Sequence, residues 1–195
     1  FIETDGSAEN DKFVSMRYEN STGGYSNTWI IGANDAYRVA ANNLQSTAPQ
    51  IATYTYDAAP NVNFYLDGQN YPLEIIDGSP NGGGISTGVD QTLFGNGPAG
   101  PSWDGMIPEI MFYERELTTA ELEQIFSSLA LKYGITLAQN YIASDGTVIW
   151  DMTANAIYHN AVAGIGKDNI GAVNQLQSKS HAGDALITIG LDSIA

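Results

Sequence analysis

The sequence predicts a mainly-β protein, an antiparallel β-sandwich that carries one short α-helix. Turn punctuation is dense: 21 Gly, 7 Pro and Asp-Gly pairs beginning at Asp5, Asp67, Asp77, Asp104 and Asp145. Asn-Gly follows at Asn81 and Asn96, and both dipeptides favour the positive φ angles of tight hairpins. Short β-prone runs lie between these turns. A single segment instead repeats its apolar residues at helical period.

The β-prone runs are residues 12–18 (KFVSMRY), 28–31, 50–56 (QIATYTY), 62–66 (VNFYL) and 106–113. Strands of this length and spacing argue an antiparallel sandwich. Residues 82–84 and 95–101 read as loops. Thr118-Thr119-Ala120-Glu121 has capping-box spacing, in which hydroxyl and carboxylate satisfy each other's backbone donors. Leu122, Ile125/Phe126, Leu129 and Tyr133 then recur at helical period. Lys132 suits the negative end of the helix dipole, and Gly134 suits a left-handed stop. The expected helix spans about 119–132. Further β-prone runs follow at 148–150, 161–165 and 185–189. A soft boundary near residue 138 divides the chain into 1–137, the sandwich with its helix, and 138–195. The second part is β-rich, the start of another domain or an appendage.

Composition narrows the partners. The chain carries 7 Lys+Arg against 22 Asp+Glu, a formal net charge of −15. Such a charge repels nucleic-acid phosphates and anionic membranes. With no cysteine, disulfides and thiolate zinc sites are excluded. No apolar run approaches the ~20 residues that span a bilayer, so membrane insertion is not expected. Residues 1–10 (FIETDGSAEN) lack the basic start and apolar stretch of a secretory signal.

Several motifs carry a family likeness. Phe64-Tyr65-Leu66-Asp67-Gly68 resembles the Tyr-x-Asp-Gly hairpin of concanavalin A-like, laminin-G-like jelly-roll domains. Leu93-Phe94-Gly95 is similar to a later strand ending of that family. Trp103-Asp104-Gly105-Met106-Ile107-Pro108-Glu109-Ile110 resembles its Gly-x-Ile-x-Glu strand. Tyr113-Glu114-Arg115-Glu116-Leu117-Thr118 resembles the corner leading into its helix. The likeness covers about residues 10–135. It implies an antiparallel jelly-roll β-sandwich whose first strands lie upstream of Phe1. Downstream, residues 144–151 (SDGTVIWD), 163–168 (AGIGKD) and 174–178 (NQLQS) resemble a segment that follows such jelly rolls in large secreted proteins of Bacteroidetes-type or marine bacteria. The resemblance implies an extracellular, adhesive or glycan-associated setting.

Candidate chemistry is sparse. Glycosidases on this fold set carboxylates on alternate residues of one strand, so that they bracket the scissile bond. Glu3/Asp5 and Glu9/Asp11 have the Glu-x-Asp spacing but lack the third acid and lie in turn-like sequence. Glu109 shares its strand face with Ile107, Met111 and Tyr113, while Glu114 and Glu116 fall in a solvated corner. His159, near Tyr158, could serve as a base; His181 has no partner at metal-ligand spacing. Neither is better explained as a ligand than as a partly buried histidine.

Calcium is the candidate ion, since such jelly rolls often hold it through loop oxygens. Asp77, Asp90 and Asp104 stand in candidate loops, where they also read as turn formers. Pyranose faces stack on exposed aromatic rings, which makes Tyr25, Tyr37 and Trp29 ligand candidates; Trp103 and Trp150, like Trp29, also read as core. The expectation is a non-catalytic carbohydrate- or surface-binding module, secreted or at the cell surface. Its partner would be a glycan or surface polymer, or other copies and domains of the same protein. A structural spacer and a polysaccharide-degrading enzyme with acids outside this sequence are the alternatives.

Overall fold

A computed structural model of the chain describes residues 14–19, 28–33, 37–41, 44, 46, 48–56, 62–78, 105–160, 162–168, 173–182 and 185–191. The chain is mainly β, in small antiparallel sheets, with one α-helix among the described residues. It groups into two compact units. One comprises Phe1–Gln45, Tyr54–Phe64 and Tyr71–Glu116; the other comprises Ser46–Thr53, Tyr65–Asn70 and Leu117–Ala195. Residue 138, where the sequence sets its soft boundary, lies inside the second unit.

In the first unit, β1 (Val14–Glu19), β2 (Thr28–Ala33), β3 (Tyr37–Ala41) and β7 (Glu74–Gly78) form an antiparallel sheet in the order β1-β2-β3-β7. The β3–β7 register slips between Arg38 and Val39, a bulge that adds local twist. β4 (Ala52–Tyr56), β5 (Val62–Leu66) and β6 (Gln69–Tyr71) form a separate three-stranded sheet, whose Asp67-Gly68 turn belongs to the second unit. Asp67 and Gly68 join β5 to β6 with φ of 50° and 82°. Two successive positive φ values in a two-residue link make a type I′ turn, whose twist matches that of the strands it joins.

Residues 106–113 depart from expectation: among the described residues they form no strand. A β-prone composition states what a pleated, half-buried surface would accept, not whether a partner edge is supplied. Here Met106 is 91% exposed and Phe112 62%, so the run buries neither face.

The second unit is built around α1 (Thr119–Tyr133). Thr118 caps it as the spacing predicts. Glu121 N donates to Thr118 Oγ1 at 3.3 Å, and Thr118 N donates to Glu121 Oε2 at 2.8 Å. Gly134 ends the helix with φ 69° and its N–H donates to Ala130 O. The apolar stripe of α1 (Leu122, Phe126, Ala130) is buried with Ile51, Ile135, Leu137, Tyr141 and Val162. Tyr65 tilts against Phe126, ring centroids 5.8 Å apart.

Three two-stranded antiparallel sheets complete this unit. They pair β8 (Tyr141–Ile142) with β9 (Val148–Trp150), β10 (Gly166–Asp168) with β11 (Val173–Gln175), and β12 (Gln177–Ala182) with β13 (Ala185–Gly190). The strands expected at 148–150 and 185–189 are present. The one expected at 161–165 is displaced to β10, leaving Val162 as a buried anchor.

Candidate functional site

The corner at 109–116 carries Glu109, Glu114, Arg115 and Glu116. Glu109 is half-buried, whereas Glu114 and Glu116 are exposed. The Arg115 guanidinium donates to the backbone carbonyl of Glu116 at 3.1 Å. Of the proposed ligand residues, Trp29 lies in β2 opposite Ala41, and Tyr37 opens β3 opposite Gly78. Tyr25 and Trp103 lie outside the described residues, as do Glu3, Asp5, Glu9 and Asp11. Of the proposed metal ligands, Asp90 and Asp104 also lie outside, while Asp77 sits within β7 opposite Arg38. Among the described residues, no three His, Asp or Glu side chains are grouped to hold a metal ion.

The most developed polar cluster surrounds Tyr141, in the second unit, and spacing alone did not single it out. Residues 135–141 curl back so that Leu137 N donates to Tyr141 Oη at 3.1 Å, and Tyr141 Oη donates to Ile135 O at 3.0 Å. Burial pushes the phenol's pKa above its ordinary value, the Leu137 N–H opposes that, and the Asp67 carboxylate adds to it. The ring meets His159 edge-on, centroids 6.0 Å apart.

His159 is tied on both ring nitrogens. Trp150 Nε1–H lies 3.1 Å from His159 Nδ1, and an indole can only donate. Nδ1 therefore accepts, and Nε2 donates to Leu137 O at 2.6 Å. A histidine that could have served as a base is thus a half-buried strut. Trp150 packs against the core as its β-branched neighbours suggest; it is not an open sugar platform. His181 falls in β12.

Hydroxyls that carry no motif do similar work. Buried Ser127 donates to Glu123 O at 2.7 Å and accepts from Ile142 N at 2.9 Å. Buried Ser178 donates to Leu131 O at 2.6 Å and accepts from Gly164 N at 3.1 Å. The Asp168 carboxylate takes the N–H of Ser144 at 2.8 Å and also its hydroxyl. The Ser127 and Ser178 bonds hold strands to the helix, and such partners are found only by folding.

The Asp67 carboxyl is pushed strongly upward. Burial raises its pKa from 3.8 to about 6, partly opposed by the Ile51 N–H that its Oδ1 accepts at 2.7 Å. The folded chain therefore binds more protons than the unfolded chain between roughly pH 4 and 6, so this group's contribution to stability falls as pH rises through that window. The penalty is fully present above about pH 6 and absent below about pH 4. Asp67→Asn keeps an acceptor for Ile51 and keeps a residue suited to the I′ turn. After discounting for partial exposure, the variant is expected to be more stable at pH 7 by about 1 kcal/mol. Urea unfolding from pH 4 to 7 should show a flatter profile for Asp67→Asn; parallel profiles would refute the assignment.

In comparisons with known proteins, a domain family of unknown function, DUF8202, matches residues 121–195. No curated protein and no solved structure matches the chain.

Proposed function

We propose that the chain is a non-catalytic binding module of an extracellular or cell-surface protein, with a glycan or surface polymer as ligand. Residues 1–137 are read as a laminin-G-like jelly-roll β-sandwich. The Asp67-Gly68 hairpin and the capped helix after Thr118 support that fold. The observation carrying the binding reading is the ribbon 106–113. Met106, Ile107, Ile110, Met111, Phe112 and Tyr113 are all exposed, and contiguous exposed apolar side chains mark interaction sites. Phe112 and Tyr113 offer rings to sugar C–H faces.

Glycan-array and surface-polymer binding, with and without Ca²⁺, tests this reading and the calcium candidates Asp77, Asp90 and Asp104 together. Binding is expected, with Phe112→Ala/Tyr113→Ala weakening it about tenfold. Absence of binding in both buffers, or release of reducing ends from a polysaccharide, would overturn it. A spacer or assembly role is the second reading, favoured by exposed Ile187, Ile189 and Leu191 at the β12–β13 hairpin. Sedimentation showing a monomer at all accessible concentrations would end it.

A further inference from the structure

We infer that the family-matched segment 121–195 is not a free-standing module: its folding partner is the hairpin arm 46–53 and 65–70 of the same chain. The match begins inside α1, at the residue that completes the capping box, and takes in none of these upstream residues. Yet they supply parts the segment cannot replace. Ile51 is 7% exposed and belongs to the hydrophobic cluster of Leu122, Phe126, Leu137 and Tyr141. Tyr65 covers Phe126. Ala138 N donates to Asp67 O at 3.2 Å, so the loop 135–141 is anchored on the I′ turn.

The turn is itself fixed to the arm. Asp67 N donates to Ile51 O at 3.0 Å, and Ile51 N donates to Asp67 Oδ1. Gly68 lets the Gln139 side chain lie against the backbone: a Cβ there would meet Gln139 Oε1 at 2.8 Å. The docking surface on the segment is thus one face of α1 with the loop 135–141. The partner it fits is a hairpin bearing an apolar β-branched residue, an aromatic residue and an Asp-Gly turn. The backbone N–H of Ala138 is satisfied across this surface by the Asp67 carbonyl, beside the shared apolar burial.

Native-state hydrogen exchange on the whole chain tests this. The amides of Ile51, Asp67 and Ala138 are expected to open together with those of α1, in one cooperative unit with a common denaturant dependence. Ile51→Ala should speed exchange in α1 and at 137–142 roughly tenfold or more. In β1, β2 and β3 it should leave exchange unchanged within about twofold. Gly68→Val should do the same from the turn. Should Ile51→Ala prevent folding, the wild-type isotherms alone decide. Opening of Ile51 and Asp67 at a different free energy from α1, or an equal effect of the variants on β1–β3, would overturn the proposal.

Discussion

Gly134→Ala is expected to destabilise the second unit by about 3 kcal/mol or more. Two costs combine. Gly134 has φ 69°, a left-handed conformation that costs a side-chain-bearing residue about 1–2 kcal/mol. A Cβ would also stand 2.2 Å from Lys179 O and 3.0 Å from Lys179 C. Those are backbone atoms of β12, so no rotamer change relieves the clash; the helix end and the strand must separate. Separation would strain the Ser178–Leu131 bond, which joins the same two elements. Gly146→Ala is the internal control. Its φ is 84° with nothing within 4 Å of the added Cβ, so only the conformational cost of about 1 kcal/mol applies. Urea midpoints of the two variants measure the clash by difference. Equal midpoints would mean that β12 does not press on the helix end.

Tyr141→Phe removes one oxygen and leaves two backbone groups without their bond. Tyr141 is fully buried, and its hydroxyl serves both Leu137 N and Ile135 O. An unsatisfied buried donor or acceptor costs about 1–3 kcal/mol, so a loss of about 2–4 kcal/mol is expected. Tyr158→Phe, at an exposed ring, should change little. The variant also carries a pH signature. The phenol's pKa is raised on folding, so the folded chain holds that proton more tightly. Stability from this group is present below the ordinary tyrosine range and falls as pH rises through it. Tyr141→Phe should remove that alkaline loss. Stability unchanged at pH 7 would show that the loop 135–141 finds other partners.

The legible parts of this protein are those whose causes lie within a few residues. The capping box at Thr118, the stop at Gly134 and the Asp67-Gly68 turn were readable because each satisfies its own backbone locally. The apolar stripe of α1 was readable for the same reason, although Ser127 on that stripe was not. Its burial depends on Ile142 N, fifteen residues away. Strand β12, QSKSHA, shows no apolar alternation and was not expected as a strand. Its face is buried through the Ser178 hydroxyl bonds to Leu131 O and Gly164 N, and Ser180 is buried beside it. The opposite error came at 106–113, where β-prone residues are not a strand among the described residues. Local preference cannot say whether an edge is waiting.

The candidate site shows the same limit. The Glu-x-Asp spacing points to Glu3/Asp5 and Glu9/Asp11, which lie outside the described residues. The groups around Tyr141 come from residues 67, 135, 137 and 159, a set no motif joins. His159 looked like a possible base in isolation; the indole of Trp150 decides its tautomer and removes its free lone pair.

Asp-Gly turns also bear on how long a protein lasts. In a flexible chain the glycine nitrogen attacks the preceding carboxyl carbon, water leaves, and the ring that forms reopens largely as isoaspartate, a kinked backbone that no repair restores outside the cell. At Asp67 the carboxyl is held on Ile51 N–H. At Asp145 it is held on Thr147 N–H, and Gly146 N donates to Ala143 O. The hydrogen bonds that shape these two hairpins thereby slow their covalent ageing, and partial unfolding would start that clock.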